Sequence, residues 1–83
     1  MRKPIREEII TDDEFYFDII RKNIRKYRLE YHLTQQELAD MTGLSRGYIC
    51  DIENKSRNKH LSIVVLTRIS FVLNKHIKTF FVE

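Results

Sequence analysis

The stretch Leu33-Thr-Gln-Gln-Glu-Leu-Ala-Asp-Met-Thr-Gly-Leu-Ser-Arg-Gly-Tyr-Ile-Cys-Asp-Ile-Glu53 decides the fold. Thr34 followed three residues later by Glu37 is a capping box, in which each side chain accepts the other residue's backbone N–H at a helix start. Leu38, Ala39 and Met41 follow at helical spacing, so a short helix is expected over about 35 to 41. Gly43 stands where that helix needs a left-handed residue to end, a conformation glycine adopts without a Cβ clash. Ser45 then reads as the N-cap of a second short helix over about 46 to 53, with Ile49 and Ile52 on its buried side. Ala39 is small, as a close helix crossing requires. Leu44, Ile49 and Ile52 press the second helix against the first.

Two short helices joined by a tight turn with a glycine make a helix-turn-helix, whose second helix is built to enter a major groove. The flanking sequence is helical as well. Upstream, Thr11 and Glu14 form another capping box, and Phe15, Ile19, Ile20, Ile24, Tyr27 and Tyr31 mark one face of a helix over about 12 to 31. Arg21, Lys22, Arg25 and Lys26 fall on the opposite face, which reads as solvated or as touching a DNA backbone. Downstream, Asn54 to Leu61 is a polar, basic loop carrying Lys55, Arg57, Lys59 and His60. Ser62 caps a helix over about 63 to 73, with Ile63, Leu66, Ile69, Ser70 and Leu73 on one stripe and Asn74 to end it. Ile77, Phe80 and Phe81 predict a last helical turn. With two glycines and one proline in 83 residues, little interrupts these helices. The expectation is an all-α, compact bundle of about five helices in one domain over residues 18–83. Residues 1–17 form an N-terminal extension partly packed on it.

Composition narrows the function. A chain this short has little surface for a deep substrate pocket. The net charge of +3 is unevenly spread: the first twenty residues carry three basic and six acidic side chains, the rest twelve basic and six acidic. A basic body suits a polyanion. No apolar run is long enough to span a membrane, and no signal-peptide core follows Met1-Arg2-Lys3, so a cytoplasmic chain without membrane contact is expected. Cys50 has no second cysteine to pair with, and His32, His60 and His76 lack metal-ligand spacing, so neither metal nor cofactor is expected. Asp12, Asp13 and Glu14 fit a helix start, where negative charge is favoured. No glycine-rich phosphate loop or nucleophile motif appears, which argues against an enzyme.

Taken together, Ile24 and Arg28, Leu33 to Ala39, Gly43 to Ser45, Tyr48 to Asn54 and Ile69 to Asn74 resemble the Cro/C1-type, or Xre-type, helix-turn-helix family of bacterial and phage regulators. The resemblance covers about Ile20 to Phe81. It implies a lambda-repressor-like DNA-binding domain and a transcriptional regulator, a repressor acting as a homodimer on a partly palindromic operator in double-stranded DNA. Gln35, and Gln36 beside it, would hold a phosphate at the second helix's N-terminus. Ser45, Arg46 and Gly47 start the recognition helix, with Asp51 one turn on. Tyr48 and Asn54 would touch the backbone, and Lys55 and Arg57 follow in the loop. Arg28 and Glu53 match the family's ion pair between the first and third helices. Independently of the family, an arginine at position 46 is placed to bond O6 and N7 of guanine, and Gly47 permits close approach. Lys55 departs from the family's usual glycine, so Asn54 is expected to take the left-handed conformation in its place. The loop is also one or two residues longer than usual and lacks the common proline.

Two other readings stay open: the antitoxin of a toxin–antitoxin pair that also binds its own promoter, and a helix-turn-helix that serves only as a protein-interaction module. Both would add a protein partner. The fourth helix is apolar beyond its core stripe, so Phe71, Val72, Phe80 and Phe81 are expected to contribute to a two-fold dimer interface.

Overall fold

Local chemistry sets the helix ends. In the computed structural model, which describes residues 14–54 and 61–83, α1 runs Glu14–Glu30, α2 Gln35–Thr42, α3 Arg46–Glu53 and α4 Ile63–Val72, followed by a 3-10 helix, Ile77–Phe81. The Thr34 hydroxyl oxygen accepts from the Glu37 N–H at 3.0 Å, and the Thr34 N–H donates to the Glu37 carboxylate at 2.9 Å. Ser45 and Ser62 cap α3 and α4 by accepting from the N–H groups of Tyr48 and Val65. α1, α2 and α4 each end through a left-handed residue: His32 (φ 57°), Gly43 (φ 73°) and Asn74 (φ 53°). In each case the next N–H reaches back five residues, from Leu33 to Arg28, Leu44 to Ala39 and Lys75 to Ser70. These bonds satisfy carbonyls that a helix end leaves without partners.

α2 packs on α3 to make the helix-turn-helix, while α1 lies against α3 and the 3-10 helix, and α4 against α2 and the 3-10 helix. The core is Ile20 and Ile24 of α1, Leu38 and Ala39 of α2, Ile49 and Ile52 of α3, Leu66, Ile69 and Leu73 of the α4 segment, Leu61 and Phe80. One polar side chain ties the two ends of the described chain together. The buried Asn23 amide donates to the carbonyls of Phe80 and Val82 at 2.9 Å each and of Thr79 at 3.3 Å. The Tyr27 ring meets Phe80 edge-on at 5.2 Å, and Lys75 sits 4.7 Å over the same tyrosine.

The all-α class stands, with four α-helices and one 3-10 helix among the described residues. Several side chains lie elsewhere than their spacing predicts. Arg21 is not on the solvated face but buried, paired with Glu14 at 3.2 Å. It lies two turns before Arg28 and so shares that residue's inward azimuth. Phe15 and Tyr31 are exposed because they sit at the two ends of α1, beyond the reach of the core. Ile63, in the first turn of α4, is exposed too, although Leu66, Ile69, Ser70 and Leu73 of the same stripe are buried. Asn54 is extended (φ −108°, ψ 109°), not left-handed, because α3 ends with its N–H turned back to the Asp51 carbonyl. Phe80 is fully buried beneath Tyr27 and cannot join a dimer interface, whereas Phe71 is 85% exposed. The Thr11 cap and the loop residues Lys55, Arg57, Lys59 and His60 lie outside the described residues.

Candidate nucleic-acid interface

α3 is two-sided. Ile49 and Ile52 face inward and are completely buried. Ser45, Arg46 and Gly47 are exposed at the other side of its first turn, and Cys50 and Asp51 are half-buried one turn on. Arg46 is exposed and has no ion-pair partner among the described residues, so its guanidinium can present donors to an external acceptor. A Cβ at Gly47 would meet nothing within 4 Å, and its φ is not left-handed. Neither packing nor backbone geometry therefore demands glycine there. Tyr48 packs against the core with its ring, and this burial pushes its phenol above the ordinary range.

The position of α3 is fixed by a buried charge pair. The Arg28 guanidinium grips Glu53 with two bonds, Nε to Oε2 at 2.8 Å and Nη2 to Oε1 at 2.9 Å, with both side chains more than nine-tenths buried. Its third arm donates from Nη1 to the Leu33 carbonyl at 2.7 Å. One arginine of α1 thus holds both the end of α3 and the chain entering α2. Hydrogen bonding to Glu53 raises the Arg28 pKa further above its usual value, outweighing the desolvation that opposes it.

Gln35 joins this group by donating from Nε2 to Glu53 Oε1 at 3.2 Å. Its side chain is therefore oriented before anything binds, and it sits on the first residue of α2. The first-turn N–H groups of Gln35 and Gln36 have no intrahelical acceptor and carry the positive end of the helix dipole. Gln36 is exposed and holds Asp40 one turn on at 2.8 Å. Between α1 and the helix-turn-helix lies a polar cleft of about 340 Å³ lined by Arg25, Gln35, Cys50, Glu53 and Asn54. A larger hollow of about 620 Å³ shares no residue with it and is lined by α1 and Glu83.

The fold thus brings Gln35 and Asn54 to one cleft and presents Arg46, Gly47 and Asp51 on the outer side of the neighbouring α3. Lys55 and Arg57 lie outside the described residues. The sequence puts Arg25 with Arg21, Lys22 and Lys26 on a face that reads as solvated or as touching a DNA backbone, and does not set it apart from them or place it beside Gln35. The available signal was its spacing of three from Arg28, which sets the two on neighbouring azimuths of α1. No group of three or more His, Cys, Asp or Glu side chains among the described residues is arranged to hold a metal ion. No helix among them is long and apolar enough to cross a membrane.

A family model described as Helix-turn-helix matches residues 24–80. The control protein C.SmaI of Serratia marcescens is 41% identical over 49 residues, 59% of this chain and 58% of that protein. The chain thus matches less than two thirds of that relative's length. Among solved structures, the restriction-modification controller protein C.Esp1396I superposes with a TM-score of 0.71 at 36% identity, over 81% of this chain and 84% of that one. The controller protein C.AhdI of Aeromonas hydrophila gives the same TM-score at 23% identity, over 78% and 96%, a likeness of fold.

Proposed function

The chain belongs to the helix-turn-helix family, and from that premise we propose that it is a sequence-specific DNA-binding regulator of transcription that acts on a restriction–modification locus. The observation that carries the reading is the outer face of α3. An exposed Arg46, without an ion-pair partner among the described residues, and a bare Gly47 stand at the start of a helix whose inner face and far end are locked by Ile49, Ile52 and the Arg28–Glu53 pair. Such a helix enters a major groove without reorganising. Arg46 bonds a guanine edge, Gly47 lets the backbone approach, and Asp51 accepts from cytosine N4 or repels a mismatched site. Gln35 and Gln36 take a phosphate at the α2 N-terminus, Ser45, Tyr48 and Asn54 lie along the backbone, and Lys55 and Arg57 extend that contact. The restriction–modification setting is carried over from C.Esp1396I, at 36% identity over 81% of this chain. The DNA-binding unit comprises residues 18–83, and residues 1–17 are an extension whose last four residues begin α1.

The regulator acts as a two-fold dimer and a repressor on a partly palindromic operator. Support for the dimer comes from α4, whose outer side exposes the apolar Ile63, Val64 and Phe71, with Thr67 and Arg68 between them. Large apolar side chains left exposed in this way call for a cover, and a second copy supplies one. Val72 and Phe81 extend that surface. Selection of bound sequences from a random duplex pool, with wild type and Arg46→Ala in parallel, tests both parts. The expected product is a palindromic motif with half-sites about one helical turn apart, whose guanine preference is lost in the variant. No enrichment at low salt overturns the reading, and a monomer at tens of micromolar in sedimentation, alone and on DNA, overturns the dimer.

A further inference from the structure

Five cations lie along α1 among the described residues, and four are engaged. Arg21 pairs with Glu14 at 3.2 Å and Lys22 with Asp18 at 3.2 Å. Lys26 lies 5.6 Å over the Tyr27 ring, and Arg28 is bound twice to Glu53. Arg25 is exposed and has no carboxylate or aromatic partner among the described residues. It nevertheless lines the cleft that holds Gln35 and Asn54. The carboxylate in that cleft, Glu53, is already occupied by three donors, two from Arg28 and one from Gln35. Among the described residues no carboxylate neutralises Arg25, whose charge lies in the same cleft as the first residue of α2.

We propose that Arg25 binds a DNA backbone phosphate beside the α2 N-terminus, so that α1 joins α2 and α3 in gripping the duplex. The inference rests on the DNA-binding reading above and assigns a contact outside the helix-turn-helix. A guanidinium matches the charge and the paired oxygens of a phosphate. Gln35, held in place by Glu53, aligns that phosphate from the α2 side. The contact carries no base information. It fixes the register of α3 in the groove and strengthens binding to every sequence alike.

Salt dependence tests it with a duplex selected by the wild-type chain, titrated by fluorescence anisotropy between 50 and 200 mM salt. Removing one phosphate contact makes the slope of log affinity against log salt shallower by about 0.9. The wild-type advantage over Arg25→Gln is therefore about 3.5-fold larger at 50 mM than at 200 mM. Arg25→Lys keeps the wild-type slope because the charge remains, and Lys22→Gln keeps it because Lys22 lies outside the cleft. All variants select the same motif. A slope and affinity for Arg25→Gln equal to wild type overturn the proposal and leave the DNA-binding reading standing. A changed motif in Arg25→Gln overturns the phosphate assignment in favour of base contact. A wild-type chain with no salt-sensitive binding overturns both readings.

Discussion

Replacing Glu53 by alanine separates what holds the fold from what binds DNA. The substitution removes both bonds to Arg28 and the bond to Gln35, and leaves a guanidinium that is 8% exposed without its counter-charge. Breaking a buried pair from one side costs about 3–5 kcal/mol, because the remaining charge stays desolvated and unpaired. A domain of this size has a total stability of roughly 4–12 kcal/mol. The variant is thus brought close to its unfolding threshold at ambient temperature. With a urea dependence of about 1 kcal/mol per molar for a small domain, the midpoint falls by about 3 M or more. Urea titration followed by circular dichroism at 222 nm measures it. The paired variant Arg28→Met with Glu53→Leu removes both charges and fills similar volume. It recovers most of the loss, since apolar replacement of a buried pair is neutral or stabilising. Gln35 still lacks its acceptor there, so the refolded double variant binds DNA more weakly than wild type. A loss below about 1 kcal/mol for Glu53→Ala, or a double variant no more stable than the single, would refute the assignment of Arg28 and Glu53 as the clamp on α3.

Asn23→Ala takes the amide donor from the Phe80 and Val82 carbonyls, while Thr79 keeps the Tyr27 hydroxyl, and costs about 1–3 kcal/mol, with hydrogen exchange accelerating in the 3-10 helix relative to α2. An unchanged midpoint would mean that water replaces the amide at no cost. Tyr48 is pushed upward by burial, so its phenolate forms above pH 10, later than an exposed tyrosine. The folded state then holds a proton that the unfolded state has released. Stability from this group is complete below about pH 10 and declines as pH rises through the folded value, which ultraviolet difference titration against Tyr48→Phe measures. Gly47→Ala gains about 0.5–1 kcal/mol because the added methyl meets open space in a helix, yet changes the selected DNA motif. Gly43→Ala loses about 1–2 kcal/mol through its left-handed backbone alone, since nothing lies within 4 Å there either. Thermal melts of the two alanine variants moving in opposite directions check the pair together.

The helix-turn-helix was legible because its signals are local. Thr34 with Glu37, Gly43 and Ser45 act through bonds within a few residues of themselves, and Ile49 with Ile52 states the buried side of α3 by spacing alone. The Arg28–Glu53 pair was legible only through the family pattern, as the partners are 25 positions apart. What escaped depends on tertiary neighbours. Nothing near Asn23 signals that it caps carbonyls more than fifty positions away. Arg21 and Lys22 are adjacent basic residues, yet one is buried and the other exposed. His32 ends α1 in the left-handed region without being glycine or asparagine, so composition gave no warning. Phe80 and Phe71 are equally apolar, and only the fold decides that Tyr27 covers the first while the second stands in solvent. Spacing groups Arg25 with three other cations on a face that reads as solvated or as touching DNA, and only the packing of α1 sets it alone in one cleft with Gln35.

The two-sidedness of α3 has an evolutionary consequence. Folding information sits at Ile49, Ile52 and Glu53, and the proposed base-reading positions, Arg46, Gly47 and Asp51, are none of these residues. After gene duplication, two copies can drift to different target sequences one substitution at a time, each intermediate still folding and being inherited intact. The same partition lets an experimenter randomise the outer positions without first repairing the scaffold.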